Sequence, residues 1–207
     1  MAAQRRFGRT SRRGKLPSRT ARSRESLEMV TRNEGLAFWL VPAPVVRDFF
    51  VSIIGELAAR LDGPVFEPHL TLFGGIINHD RTMQVFRTLP IASSYHLEIE
   101  GIFSSTKYTK TLFVRFHLSD ELRELRRAIT DALDLEVGDD FDPHLSLLYK
   151  SMTPGEQEEL ARSIKIPFQQ ARFEGLKAIA HPAQIATRAD VEAWREIGRR
   201  SPTRASS

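Results

Sequence analysis

The chain carries the stretch Phe66-Glu67-Pro68-His69-Leu70-Thr71-Leu72-Phe73, and 75 positions later it carries Phe141-Asp142-Pro143-His144-Leu145-Ser146-Leu147-Leu148. In each copy an acidic residue precedes Pro-His-Leu, and a hydroxyl residue follows the histidine by two positions. Residues two apart in a β-strand point to the same face, so each copy predicts an imidazole beside a hydroxyl. The alternate positions are apolar and predict the opposite face, which packs on the core. They are Phe66, Pro68, Leu70 and Leu72 in the first copy and Phe141, Pro143, Leu145 and Leu147 in the second.

The composition limits the chemistry that the chain can perform. Its 207 residues suffice for one domain, or for two small lobes that share an interface. There is no cysteine, so disulfides, thiolate metal sites and cysteine nucleophiles are excluded. No apolar run approaches the roughly 18 residues that a membrane span needs. We therefore expect a soluble protein with no membrane partner. We also expect a cytoplasmic monomer.

Charge is distributed unevenly along the chain. Nine basic residues and no acidic residue precede Glu25, whereas the chain from Glu25 onward has 21 basic and 26 acidic residues. Residues 1–33 also have few large apolar side chains, so we expect a disordered basic tail. Three roles for this tail stay open: a plain extension, a tether to nucleic acid or another acidic surface, and an organelle-targeting segment, which is likewise rich in Arg and Ser.

The order of the predicted elements indicates an α+β fold with an internal duplication. Apolar periodicity, caps and turn signals predict a strand over 36–41, a helix over 45–61, the first motif strand, a helix over 79–89, a hairpin of strands over 95–103 and 111–118, a helix from Ser119, the second motif strand, a helix over 153–164, and closing strands over 168–180 and 191–197. The folded domain is thus expected to cover residues 34–200, and residues 201–207 to form a loose C-terminus.

Two imidazoles and two hydroxyls suit acid-base chemistry on a phosphate diester. One neutral imidazole can accept a proton while a charged one donates a proton, and Thr71 and Ser146 can donate hydrogen bonds to phosphate oxygens. No cofactor is needed. A second interpretation is metal binding by His69 and His144, but the chain has no His-Glu-x-x-His motif and hydroxyls are poor zinc ligands, so we expect no metal. A third is that these histidines are structural.

The other histidines have no comparable neighbours in the sequence. They are predicted to be surface or structural residues: His79, His96, His117 and His181.

The paired motifs resemble those of the two-histidine (2H) phosphoesterase superfamily, whose signature is a pair of His-x-Thr/Ser motifs on two pseudo-symmetric lobes. The flanking residues Pro64-Val65-Phe66-Glu67 and Leu147-Leu148-Tyr149 are similar to those of its cyclic phosphodiesterase branch, which is known from plants and yeast. The resemblance extends from about Leu36 to Glu196 and covers none of the tail.

This resemblance implies a bilobal α+β fold in which antiparallel sheets line a central cleft and helices lie outside. It also implies metal-independent hydrolysis of ADP-ribose 1″,2″-cyclic phosphate, or of a nucleoside 2′,3′-cyclic phosphate to the 2′-phosphate. His69, Thr71, His144 and Ser146 match the superfamily motifs position by position. We expect His144 to be the base that activates water and His69 the acid on the leaving oxygen.

Four further residues are candidates for contact with the substrate. Tyr149 follows the second motif where a stacking or rim residue would be useful, and Lys107, Tyr108 and Lys110 lie in the predicted hairpin loop, from which they could reach the phosphate. For all four, a role as ordinary loop or strand residues stays open.

Two other functions stay open at this point. One is an enzyme of the same superfamily that acts on RNA ends, as an RNA 2′,3′-cyclic phosphodiesterase or a 2′-5′ RNA ligase-like enzyme, which would need a basic track in its cleft. The other is a module that binds a phosphate or an RNA end without turnover. Two intact histidine-hydroxyl pairs favour catalysis over binding alone.

Overall fold

A computed structural model describes residues 34–76, 78–136 and 140–201, so the expected basic tail of residues 1–33 and residues 202–207 lie outside the described residues. The described part of the chain forms these elements in order: β1 Glu34–Pro42, α1 Pro44–Leu61, β2 Leu70–Gly75, α2 His79–Thr88, β3 Tyr95–Ser104, a 3₁₀ helix Tyr108–Lys110, β4 Leu112–Phe116, α3 Asp120–Leu133, β5 His144–Leu148, α4 Pro154–Ser163, β6 Gln170–Pro182, α5 Arg188–Glu192 and β7 Arg195–Arg200. The predicted α+β class is confirmed.

The described strands form one antiparallel sheet with the order β1-β2-β5-β4-β3-β6-β7. Because β1 also pairs with β6, six strands form a closed ring, and β7 is attached to it along β6. The two motif strands, β2 and β5, are direct neighbours in this ring. The two motif copies therefore lie side by side on adjacent strands.

The apolar positions of the motif strands face the main core. Leu70 and Leu72 of β2 and Leu145 and Leu147 of β5 are buried there together with residues of helices α1 to α4. Burial of one leucine side chain contributes roughly 1.5–3 kcal/mol, so this packing holds both motif strands in place. The intervening polar positions point to the other side of the sheet, as the alternation predicts.

Local capping signals explain where two of the helices begin. The side chain of Ser119 accepts a hydrogen bond from the backbone N–H of Leu122 at the start of α3. Thr153 and Glu156 form a capping box at the start of α4, and Pro154 occupies the first turn. Both features were predicted from the sequence, because each depends only on residues within one helical turn.

The prediction of a strand over residues 191–197 is wrong for its first part. Thr187 and Asp190 form a capping box that starts α5, and this helix continues to Glu192. Strand β7 begins only at Arg195. The local capping interaction thus determines the structure here, although the apolar spacing resembles a strand.

Phe66 also departs from the expected pattern. Strand β2 begins at Leu70, so the alternation of the motif does not extend back to Phe66. Its ring instead stacks on Tyr149, with centroids 4.1 Å apart, in a separate buried cluster.

Among the described residues, no helix combines the length and apolar character needed to cross a membrane.

Candidate active site

Leu70 of β2 pairs with Leu145 of β5 in antiparallel register. Each leucine directly follows the histidine of its motif, so this register places His69 opposite Ser146 and Thr71 opposite His144. Opposed residues in such strands have Cβ atoms about 4.5–5.5 Å apart. The four motif side chains therefore form a compact group in which each histidine faces the hydroxyl residue of the other motif.

The backbone holds both histidines in the same way. Nδ1 of His69 lies 2.7 Å from the carbonyl oxygen of Glu67, and Nδ1 of His144 lies 2.7 Å from the carbonyl oxygen of Asp142. A carbonyl oxygen only accepts hydrogen bonds, so each Nδ1 carries a hydrogen and donates it. Nε2 of each ring is left to exchange a proton with a substrate.

Trp39 covers the ring of His69. The two rings are parallel within 8° and their centroids are 3.5 Å apart, and His69 is only 5% exposed. Burial lowers the pKa of His69 to about 3, with smaller effects from the charges of His144 and Lys177, although the hydrogen bond to Glu67 acts in the opposite direction. His69 is therefore neutral at physiological pH.

His144 is more exposed than His69 and has a carboxylate neighbour. Burial lowers its pKa, and the charges of Lys110 and Lys107 lower it further. The carbonyl and the carboxylate of Asp142 act in the opposite direction. His144 is therefore the easier of the two histidines to protonate.

Each motif's acidic residue connects its histidine to a lysine. Nζ of Lys177, whose side chain is 6% exposed, lies 2.5 Å from Oε2 of Glu67. In the second motif, Lys110 donates a hydrogen bond to Asp142. In both motif copies, the carbonyl oxygen of the acidic residue accepts a hydrogen bond from the histidine, and its carboxylate pairs with the lysine. The ion pair limits the movement of the loop that orients each imidazole.

The two hydroxyl residues differ in their surroundings. Ser146 is buried, and its Oγ donates a hydrogen bond to the carbonyl oxygen of Thr109, 3.0 Å away. A hydrogen bond from this hydroxyl to a bound phosphate would replace its hydrogen bond to Thr109. Thr71 is half-buried and lies beside the cavity described next.

One cavity of about 240 Å³ joins these groups. Its lining consists of Ala37, Trp39, His69, Thr71, Gly74, Lys107, Thr109, His144, Ser146, Tyr149, His181, Ile185 and Trp194. This lining includes three histidines and one lysine but no Asp or Glu, so it suits an anionic ligand. Over the described ranges, no group of three or more His, Asp or Glu residues is placed to hold a metal ion.

The structure brings six of the eight predicted site residues to this cavity, namely His69, Thr71, His144, Ser146, Tyr149 and Lys107. Tyr149 is buried, and burial raises the pKa of its phenol, so it is a neutral hydrogen-bond donor.

Tyr108 and Lys110 are not part of the lining. Tyr108 packs 6.2 Å from Tyr149, measured between ring centroids, and Nζ of Lys110 lies 4.4 Å from the centre of the Phe113 ring while it pairs with Asp142. Both residues belong to the 3₁₀ helix, whereas Lys107 precedes it as its N-cap.

Sequence reasoning missed seven of the lining residues, and three of these carry aromatic or imidazole rings: Trp39, His181 and Trp194. Trp39 reaches His69 because β1 pairs with β2, where Trp39 lies opposite Thr71. His181 was predicted to be a surface or structural residue, but it is half-buried and lines the cavity. Residues 36–41 are all apolar, so no alternation in the sequence indicated that Trp39 faces the polar side of the sheet.

Comparisons with known proteins agree with this fold. A family model described as "Cyclic phosphodiesterase-like protein" matches residues 34–201. The cyclic phosphodiesterase of Arabidopsis thaliana is 21% identical over 122 residues, which cover 58% of this chain and 67% of that protein.

Two solved structures with a similar fold are bacterial proteins. E. coli LigT in complex with 3′-AMP aligns with a TM-score of 0.51 at 16% identity, over 83% of this chain and 99% of LigT. A protein of Thermus thermophilus aligns with a TM-score of 0.52 at 14% identity, over 81% of this chain and 97% of that protein. With the family model matching most of its length, this chain belongs to the cyclic phosphodiesterase-like family of the 2H phosphoesterase superfamily, and it is a phosphodiesterase.

Proposed function

We propose that this enzyme hydrolyses ADP-ribose 1″,2″-cyclic phosphate and nucleoside 2′,3′-cyclic phosphates, the latter to 2′-phosphates, with His69 and His144 as its acid-base pair and without a metal ion. The observation that carries this proposal is the matched pair of 2.7 Å hydrogen bonds from Nδ1 of both histidines to the backbone. They leave two Nε2 atoms available in one cavity whose lining has no carboxylate.

The surroundings of the two histidines support different roles. His69, with a pKa lowered to about 3 by burial, is neutral, and only a neutral imidazole can accept a proton from water. Burial lowers the pKa of His144 as well, but Asp142 opposes this decrease, and a bound phosphate anion likewise favours the charged form of a nearby imidazole. We therefore assign His69 as the base and His144 as the acid, which is the reverse of the order expected from the sequence.

The reaction then has one bond forming and one breaking. The oxygen of a water molecule bonds to phosphorus while Nε2 of His69 takes a proton from that water. The bond from phosphorus to one ribose oxygen breaks, and Nε2 of His144 gives its proton to the leaving oxygen. Thr71 and Ser146 donate hydrogen bonds to the non-bridging oxygens, where negative charge develops. The product is an open phosphate monoester, and proton exchange with solvent restores both histidines.

The aromatic side chains of the cavity support a nucleotide as the substrate. Trp194 is half-buried and offers a ring surface on which a nucleobase can stack, and the buried rings of Trp39 and Tyr149 line the same cavity. E. coli LigT, which shares the fold, has been solved in complex with 3′-AMP and with NADP+. These ligands support a nucleotide or dinucleotide in the corresponding cleft of this chain.

An assay with several substrates tests the proposal. The purified protein is incubated, with and without EDTA, with ADP-ribose 1″,2″-cyclic phosphate, the four nucleoside 2′,3′-cyclic phosphates and an RNA that ends in a cyclic phosphate. We expect the small substrates to be turned over equally well with and without EDTA. Turnover of the RNA alone would favour an enzyme of RNA ends, and loss of activity in EDTA that a divalent ion restores would contradict the metal-free mechanism.

A further inference from the structure

The cavity contains a third histidine that the mechanism does not use. His181 lies near the end of β6 and lines the same cavity as His69 and His144. Its Nδ1 lies 2.8 Å from the carbonyl oxygen of Pro182. Since a carbonyl oxygen only accepts, Nδ1 donates here too, and Nε2 of His181 is left for another partner.

The sheet makes room for this imidazole. His181 pairs with Gly35 of β1, and a Cβ atom built on Gly35 would lie 2.3 Å from the ring. A larger residue at position 35 would displace the imidazole. The absence of a side chain at Gly35 therefore allows the ring of His181 to lie across β1.

The strand register sets the distance between His181 and the reaction centre. Trp39, which stacks on His69, pairs with Lys177, and His181 lies four positions further along β6. At about 3.3 Å per residue, this is about 13 Å along the strand. Ala37 and Gly74, which pair with each other and line the cavity, carry little or no side chain. The cavity thus extends along β1 from the catalytic histidines toward His181.

We propose that His181 binds a second phosphate group, one that the substrate carries on the far side of its ribose from the cyclic phosphate. The proposal rests on the function proposed above. A protonated imidazole donates a charge-assisted hydrogen bond to a phosphate oxygen, and Lys107 adds a further positive charge to a lining that has no carboxylate. This subsite favours substrates such as ADP-ribose 1″,2″-cyclic phosphate, which has a diphosphate beyond the reacting ribose, over nucleoside cyclic phosphates that end in a free 5′-hydroxyl.

Ligand binding can be measured without turnover. The chain has two tryptophans, Trp39 and Trp194, and both line the cavity, so their fluorescence reports its occupancy. The probes are adenosine 2′-phosphate and adenosine 2′,5′-bisphosphate, which differ only in the second phosphate. They are titrated into the wild-type protein, into His181→Gln, and into His117→Gln, which replaces an exposed histidine outside the cavity.

We expect the wild-type protein to bind the bisphosphate about tenfold more tightly than the monophosphate. This preference should disappear in His181→Gln and remain in His117→Gln. The affinity for the monophosphate should be the same in all three proteins. Equal affinities for both probes in the wild-type protein, or a preference that survives in His181→Gln, would overturn the assignment of His181. Absence of cyclic phosphate hydrolysis would instead overturn the proposed function, so the two failures are distinguishable.

Discussion

The imidazole of His69 lies parallel to the indole of Trp39, with 8° between the ring planes and 3.5 Å between the centroids. This contact removes one face of the imidazole from water and contributes to the burial that lowers the pKa of His69. The other histidine of the pair has no such cover, because Phe113 meets His144 at an angle of 68°. Stacking on Trp39 is thus one cause of the chemical difference between the two histidines.

We expect Trp39→Leu to raise the pKa of His69 from about 3 toward the ordinary value near 6.5, because water then reaches the ring. Since the base must be neutral, kcat/KM of the variant should fall at acid pH, over about pH 4 to 7, where the wild-type His69 does not titrate. Trp194→Leu is the control, because Trp194 meets His69 edge-on at 5.7 Å. If kcat/KM falls in the same way at acid pH in the wild type and in both variants, Trp39 does not set the pKa of His69.

The buried His69 also affects stability at acid pH. Its pKa is about 3 in the folded protein, and an unfolded histidine has a pKa near 6.5. Between these values the unfolded chain binds more protons, so the free energy of unfolding should fall by as much as about 1.4 kcal/mol for each pH unit below 6.5. The free energy of unfolding, measured with urea at several pH values, should depend less steeply on pH in His69→Gln than in the wild type. A slope unchanged by His69→Gln but reduced by His117→Gln would contradict this account.

Lys177 neutralises two carboxylates from inside the protein. Its Nζ lies 2.5 Å from Glu67 and 2.9 Å from Glu196, and its side chain is 6% exposed. Replacement by methionine leaves both carboxylates without this partner, and we expect unfolding to become easier by about 2–3 kcal/mol. Arg199→Met is the control, because Arg199 also pairs with Glu196 but is exposed, so its loss should cost much less. Equal losses of stability in urea unfolding would show that burial of Lys177 is not the cause.

The two histidines should act as one unit in catalysis. His69→Ala and His144→Ala should each lower kcat for a nucleoside 2′,3′-cyclic phosphate by roughly 10²- to 10⁴-fold, while Thr71→Val and Ser146→Ala should have smaller effects. The double histidine variant should be little slower than either single variant, because each step needs both groups. Steady-state kinetics with circular dichroism to check folding would test this. If the decreases in kcat of the two single variants multiply in the double variant, the two histidines act independently.

The motif residues could be predicted from the sequence because alternation along a strand is a local property. His69 with Thr71, and His144 with Ser146, share a face whichever strands lie beside them. Their arrangement on neighbouring strands could not be predicted, because a repeat with this spacing is equally compatible with two separate lobes. The register of Leu70 with Leu145 depends on packing of the whole sheet.

The residues that modify the motif histidines are far from them in the chain. Trp39 reaches His69 through the pairing of β1 with β2, and Lys177 reaches Glu67 through the pairing of β1 with β6. His181 enters the cavity through the same β1-β6 ladder. Pairing over such long sequence separations leaves no local pattern, so these contacts became evident only from the structure.

The assignment of base and acid can be tested with two leaving groups. A ribose oxygen needs a proton to leave, whereas 4-nitrophenolate leaves without one, so only the first depends on the acid. Single alanine variants are assayed with adenosine 2′,3′-cyclic phosphate and with the 4-nitrophenyl ester of 3′-deoxyadenosine 2′-phosphate, in which no neighbouring hydroxyl can attack. We predict that His144→Ala hydrolyses the nitrophenyl ester at nearly the wild-type rate but no longer hydrolyses the cyclic substrate. His69→Ala should hydrolyse neither substrate. If His69→Ala hydrolyses the nitrophenyl ester at nearly the wild-type rate and His144→Ala does not, or if neither variant does, then His69 is not the base and His144 is not the acid.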